Sequence, residues 1–377
     1  MRDQYGLHSG NEGCNLFLKI GWKRILSVLT VLLMAVFLFM AAGKKEESRE
    51  VYKKDLFAMD TYFIIKAYGP EGESALALCE EKVRELERLF SVTKEGSDVW
   101  NINHNKNTSV NEDTFLLISG ALELCEITGG ALDISLYPVL REWGFTTGQY
   151  QIPEPDRLRG LLKNVNYQNI ACEEEAPDNP GEAGQYILSV PRETEIDLGS
   201  VAKGYTGDCL LEILKEQGIR SAILDLGGNV QTLGTKPDGS LWQVAVKDPF
   251  DVSRTVGVLQ IDDKCVITSG SYERFFVGGD GKKYWHILDP GNGCPADKGL
   301  LSVTVVGEEG LQCDALSTAL FVMGREDAIA FWRADHEGLK DFEMLMISED
   351  GTLYLTEGLE DSFECSEGWN AEIIYKK

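Results

Sequence analysis

The sequence predicts an α+β fold, with mixed or antiparallel sheets and packed helices, and three observations carry that prediction. Runs rich in β-branched and aromatic residues recur along the chain: LFAMDTYFIIKAYG (Leu56–Gly69), SAILDLGG (Ser221–Gly228), LWQVAV, GVLQI and CVITSG. Such runs read as strands. Other segments place apolar residues at helical spacing, as in SALALCEEKVRELERLF (Ser74–Phe90). The two kinds alternate only in part, which disfavours a doubly wound parallel sheet. With 377 residues, 43% of them apolar, the chain can bury a large core.

From the N-terminus, residues 1–24 carry Arg2, Lys19, Lys23 and Arg24 against Asp3 and Glu12. An uncharged run follows, ILSVLTVLLMAVFLFMAAG (residues 25–43). As a helix it would rise about 28 Å, close to the thickness of a bilayer's hydrocarbon. Residues 25–43 are therefore expected to be a signal anchor or signal peptide, and 1–24 a cytoplasmic segment. The small residues Ala41 and Gly43 leave cleavage open. Residues 44–54 are charged and read as a tether, and 55–377 as the catalytic domain. The localisation expected is the cell membrane, with that domain on the extracytoplasmic side.

Within the domain, Leu56–Gly69 reads as a strand, and Ser74–Phe90 and Thr114–Thr128 as helices, the second stopped by Gly129 and Gly130. Gln149–Gly184, which includes EEEAPDNPGE, reads as a surface excursion. The net charge of −25 argues against nucleic acid as a partner. The nine cysteines form neither a CxxC pair nor a zinc-like spacing with histidine, so they define no disulfide or metal framework.

Three segments carry candidate chemistry. In EIDLGSVAKGY (Glu195–Tyr205), Asp197 ends a short strand, glycines allow close backbone approach, and Lys203 offers a fixed charge at the start of a helix. That is the pattern of a phosphate cradle, although an ordinary strand-to-helix turn reads the same way. Asp225, Gly227, Gly228 and Asn229 form a second tight turn after a strand. In ITSGSYERFFVGGDGKKYWHILDPGNGC (Ile267–Cys294), His286 reads as a strand residue just before the Asp289-Pro290 turn, a candidate base or a structural histidine. In CDALSTALFVMG (Cys313–Gly324), Asp314 and Thr318 lie one helical turn apart, a spacing that suits a shared hard cation such as Mg2+. A capping Asp with a core Thr is the plainer alternative.

Together with FAMDTYF (Phe57–Phe63) and GGALDISLYPVLREWGF (Gly129–Phe145), these segments resemble the FAD:protein FMN transferases of the ApbE family, in the family's motif order from Leu56 to Gly324. The resemblance implies a T-fold-like domain with FAD as substrate. It implies an FAD site lined by Met59, Ala131, Leu132, Asp133, Asp197, Lys203 and Leu288. It also implies Mg2+ held by the Ser200 carbonyl and the side chains of Asp314 and Thr318. Two departures stand out: Thr93 occupies the place of an aromatic often found after the first helix, and the lipidated cysteine of exported members is missing.

The resemblance further implies that FAD is cleaved at its pyrophosphate and FMN is attached by a phosphoester to a Thr or Ser of a flavin-accepting redox subunit or FMN-binding domain protein, releasing AMP. His286 is the expected base, Lys203 the supplementary charge, and Asp289 the alternative base. Two other readings use the same site: a Mg-dependent FAD pyrophosphatase that gives free FMN and AMP, and a non-enzymatic FAD-binding protein.

Overall fold

The computed structural model describes residues 50–175 and 184–377. The expected N-terminal hydrophobic helix lies outside these residues, as does part of the EEEAPDNPGE stretch. Among the described residues no helix is long and apolar enough to cross a membrane.

Val51–Lys377 form one unit. Its helices are α1 (Gly72–Phe90), α2 (Asp98–Asn105), α3 (Glu112–Ile127), α4 (Tyr137–Trp143), α5 (Pro155–Leu161), α6 (Ala202–Glu216), α7 (Gly310–Met323) and α8 (Arg325–Arg333). Its first strands are β1 (Val51–Ala58), β2 (Thr61–Tyr68), β3 (Asn107–Val110), β4 (Ala171–Glu175), β5 (Gln185–Ser189), β6 (Ala222–Leu226), β7 (Val230–Leu233), β8 (Trp242–Lys247) and β9 (Thr255–Ile261). After these come β10 (Cys265–Gly270), β11 (Phe275–Val277), β12 (Lys283–Trp285), β13 (Leu300–Gly307), β14 (Glu343–Ser348), β15 (Leu353–Thr356), β16 (Phe363–Cys365) and β17 (Ala371–Ile374).

A nine-stranded sheet in the order β1-β2-β6-β7-β10-β13-β14-β15-β17 forms the backbone of the fold. Its strands pair antiparallel except for β15 with β17, which are parallel. Mixed sheets with packed helices thus answer the α+β expectation. Separate small sheets are β16-β9-β8, β3-β5-β4 and the hairpin β11-β12.

Three expectations are corrected. Leu56–Gly69 is not one strand: Met59 and Asp60 have φ of 49° and 60° and turn the chain between β1 and β2. Two successive residues at positive φ match the right-handed twist of a tight hairpin, so the Met-Asp-Thr motif is a loop tip. Val51–Lys54 belong to β1 rather than to a tether. The excursion is not wholly irregular, since it contains α5 and β4.

Helix α7 is apolar around most of its circumference, and Cys313, Ala315, Leu316, Ala319, Leu320 and Phe321 are all at most 1% exposed. Only a helix covered on every side has that pattern. It is wedged between the sheet, through β10 and β13, and helix α6. Polar residues on it are therefore buried by construction. Helix α3, in contrast, starts with Asn111 accepting from Asp113 N–H at 2.9 Å, a cap whose loss costs about 1 kcal/mol.

Candidate active site

The segment from Glu195 to Lys203 is held by side chains from elsewhere. Buried Asn103 on α2 donates to Ile196 O at 2.9 Å and accepts from Ile196 N–H at 2.7 Å, standing in for a neighbouring strand. Arg141 on α4 forks onto Glu195, with Nη2 at 2.9 Å from Oε1. Asp197 donates its N–H to Ile134 O at 2.8 Å, and its Oδ1 accepts from Gly199 N–H at 2.9 Å. Asp197 therefore lies in an irregular segment just past an isolated bridge between Leu136 and Glu195, rather than ending a strand. Burial pushes its carboxyl up, and Arg274 and Lys203 draw it back down.

Helix α6 opens directly onto α7. The Gly204 N–H, one of the first-turn donors that a helix leaves without an internal partner, donates to Asp314 Oδ2 at 2.9 Å. Asp314 is 4% exposed, and its Oδ1 lies 4.0 Å from Lys203 Nζ. Desolvation raises its pKa, while Lys203, Gly204 and Asn229 oppose the rise. Asp314 sits within α7 and not at its N-cap, which is Glu309; the plainer capping reading of this residue is excluded. One turn on, the Thr318 hydroxyl is 3.2 Å from Ser269 Oγ on β10.

The residues expected to hold Mg2+ fit it. A buried carboxylate whose lysine partner stands 4.0 Å away is under-compensated, and Ser200 and Thr318, which line the same cleft, offer oxygens of the kind a hard cation takes. Among the described residues no group of three or more His, Cys, Asp or Glu could hold a metal, so a cation here needs Ser200, Thr318 and substrate oxygens as well as Asp314.

These residues open into a cleft of about 920 Å³. Ser200, Lys203, Asp197, Asp314 and Thr318 line it together with Met59, Ala131, Leu132, Asp133, Leu288 and His286. Met59 N–H donates to Glu87 Oε1 at 2.9 Å, and its sulfur lies 3.8 Å from Thr206 Oγ1, so the hairpin tip is tied to α1 and α6. Asp133 accepts from Ser135 N–H at 2.8 Å, from Ser135 Oγ at 2.6 Å and from Tyr167 N–H at 3.2 Å. Its carboxylate shapes the wall more than it reaches across it. Thr93, where an aromatic was expected, also lines the cleft.

His286 follows β12 directly rather than lying on it. Its Nδ1 is 3.2 Å from Arg274 O and its N–H donates to the same carbonyl at 3.1 Å, which fixes the ring at the root of the β11-β12 hairpin. Burial pushes its pKa down to about 4, helped by Arg274 and Lys203. The imidazole is neutral at pH 7 and can accept a proton.

Asp289 is not brought to the cleft. Its Oδ1 accepts from Gly291 N–H at 2.8 Å and its Oδ2 from Asn292 Nδ2 at 3.2 Å, so it serves its own turn. The pattern of an Asp before Pro and Gly carries that meaning in the sequence, and Asp289 as alternative base is withdrawn. Conversely, Glu87, Ser269, Tyr272, Glu273 and Arg274 line the cleft and were not singled out. Four of them lie in the segment that contains His286, but Glu87 is one glutamate among several on α1 and has no local signal.

A cleft of this volume, lined by polar and apolar residues alike with carboxylates, lysine and histidine converging on it, has the character of an enzyme's ligand site. The chain belongs to the ApbE family, whose family model matches residues 59–342. It is 30% identical over 310 residues to the FAD:protein FMN transferase of Klebsiella pneumoniae, a match that covers 81% of this chain and 92% of that one. Its match to the FAD:protein FMN transferase of Escherichia coli is 27% identical over 339 residues, covering 86% and 93%. Among solved structures, the ApbE protein of Thermotoga maritima superposes with a TM-score of 0.74 at 30% identity, over 83% of this chain and 99% of that one. The flavin transferase ApbE of Vibrio cholerae gives 0.70 at 26% identity, again over 83% and 99%.

Proposed function

We propose that this chain is an FAD:protein FMN transferase, which moves the FMN half of FAD onto a Thr or Ser hydroxyl of a flavin-accepting redox subunit or FMN-binding domain protein. The observation that carries the reading is the junction of α6 with α7, where Gly204 N–H, Lys203 and Asp314 meet in the floor of the cleft. Asp314, Thr318 and the Ser200 carbonyl would hold Mg2+, which when bound would supply charge neutralisation at the pyrophosphate.

Lys203 adds a second, fixed positive charge to the same oxygens. Neutral His286 takes the proton of the acceptor hydroxyl as its oxygen bonds to the FMN phosphorus. The bond from that phosphorus to the bridging oxygen breaks, and its electron pair leaves on AMP. Met59, Ala131, Leu132 and Leu288 supply apolar surface for the flavin, while Asp133 and Asp197 hold the loops around it. We place the enzyme at the cell membrane with this unit on the extracytoplasmic side, a reading supported by the uncharged run 25–43 behind Lys23 and Arg24.

The test mixes the purified protein with FAD, Mg2+ and a candidate acceptor domain and records the acceptor's intact mass. A gain of one FMN group less water, lost without Mg2+ and in Asp314→Ala, is the expected result. Free FMN and AMP with no gain on any of several acceptors would replace the transferase by a pyrophosphatase; FAD held without turnover would leave a binding protein.

A further inference from the structure

The β11-β12 hairpin has two unlike faces. Phe276 and Tyr284 point one way and stack within an aromatic cluster: Phe276 lies 5.1 Å from Tyr150 and 5.9 Å from Phe145, and Tyr284 lies 5.3 Å from Trp143, centroid to centroid. Phe275 and Val277 point the other way and are 38% and 58% exposed. Lys283, opposite Val277, lies with its Nζ 4.9 Å over the Phe275 ring.

The backbone register says more. His286 N–H donates to Arg274 O and Gly278 N–H to Lys282 O at 2.8 Å. In an antiparallel ladder bonded pairs alternate with non-bonded ones. The Phe275–Trp285 and Val277–Lys283 pairs are therefore non-bonded, and the N–H and C=O groups of Phe275 and Val277 point outward along the edge of β11. An open edge with an apolar face is a template for another strand.

This edge ends at Arg274, whose carbonyl holds His286. The hairpin also carries Lys282 and Lys283 against Asp280, while Arg274 at its root stands 4.0 Å from Asp60, in a chain whose net charge is −25. Most of the surface repels an acidic segment, and this hairpin does not.

We propose that the acceptor protein docks here: an extended, acidic segment bearing the target hydroxyl adds as a third strand along β11, covers Phe275 and Val277, and runs toward His286. The inference rests on the transferase reading above. Strand addition fixes the segment's register through backbone bonds, so the residue that reaches His286 is set by its distance along the strand, at roughly 3.3 Å per residue.

The test uses the full chain and an acceptor domain that the unmodified enzyme labels. Val277→Pro removes one outward N–H from an edge strand, where proline breaks no hairpin bond; its acceptor KM is expected to rise at least tenfold, with FAD affinity unchanged. Val277→Thr keeps the N–H and should retain the original KM. Independently of any variant, hydrogen exchange at the amides of Phe275 and Val277 should slow when the acceptor is added. An unchanged KM in Val277→Pro, or no protection in the unmodified enzyme, would overturn the docking reading. Transfer by the unmodified enzyme is scored in the same assay, so loss of the transferase reading gives a different result.

Discussion

Gly204 is where two helices touch through backbone, and an added methyl there separates them. A Cβ on Gly204 would stand 2.1 Å from Gly310 O, 2.5 Å from Gly310 C and 2.8 Å from Asp314 Cβ. Neither carbonyl nor helix backbone can swing aside as a flexible side-chain tip could, so α6 and α7 must part by about 1 Å. Overpacking of this kind costs about 1–3 kcal/mol, offset by up to about 1 kcal/mol from alanine's better helix propensity. A contact this short belongs at the upper end, about 2–3 kcal/mol, so the net is about 1–2 kcal/mol and at about 2–4 °C per kcal/mol Gly204→Ala should melt about 2–8 °C lower. The functional loss should be larger. The shift moves Asp314 and Thr318 away from Ser200 and Lys203, and misplacement of about 1 Å can cost about a hundredfold in rate. The assay is a thermal melt together with flavin transfer as Mg2+ is titrated, with expected weaker Mg2+ activation and a rate at least tenfold lower. Gly160→Ala on α5, where a Cβ meets nothing within 4 Å, is the control and should melt no lower than the parent, with parental Mg2+ dependence. A Gly204→Ala protein with parental melting and parental Mg2+ dependence would refute the close-contact argument.

His286→Ala should lower the transfer rate by about 10²–10⁴-fold, the usual contribution of a positioned base, with FAD affinity nearly kept. Because the folded histidine is held down at about 4, the base form persists above that pH. The acid limb of transfer should thus fall near pH 4 and not near 6.5, and an acid limb near 6.5 in the unmodified enzyme would remove His286 from the role. The stability sign is consistent with this: an unfolded histidine takes its proton at about 6.5, so any stability linked to this group is intact above 6.5 and is lost as pH falls toward 4. Asn103→Leu strips both backbone groups of Ile196 of their partners. Unsatisfied buried groups cost about 1–3 kcal/mol each, so a marked drop in melting temperature and a raised KM for FAD are expected, measured by calorimetry and by FAD titration of the transfer rate.

What the sequence made legible was whatever local spacing encodes. The Asp314–Thr318 pair follows from helical periodicity alone, and the glycines of the 225–229 turn from backbone sterics; both lie where those rules put them, with Gly227 and Gly228 at φ of 70° and 98°. The Met59–Asp60 turn was hidden because Met is not a usual choice at positive φ and Asp60 has no glycine beside it, so apolar neighbours read as one continuous strand. Asp289 misled for the opposite reason: a carboxylate beside a candidate base invites a chemical role, while the Pro and Gly after it mark a turn that consumes both oxygens. Glu87 and Asn103 carry no signal in their own segments, since each is defined by a partner 28 or 93 residues away.

The same distinction accounts for how the site is built. Each chemical group at the cleft floor is short-range in sequence to one element and long-range to its electrostatic partner: Lys203 to Asp314, Gly204 to the same carboxylate, and Ser269 to Thr318. A carboxylate only 4% exposed would ordinarily be protonated or excluded from the core. Here the all-round apolar character of α7 forces it inside, and the Gly204–Gly310 crossing brings α6 close enough to offer it an amide and a lysine. The glycine contact and the buried acid thus depend on each other: a wider crossing would take the Gly204 amide and Lys203 away from Asp314 and leave it uncompensated.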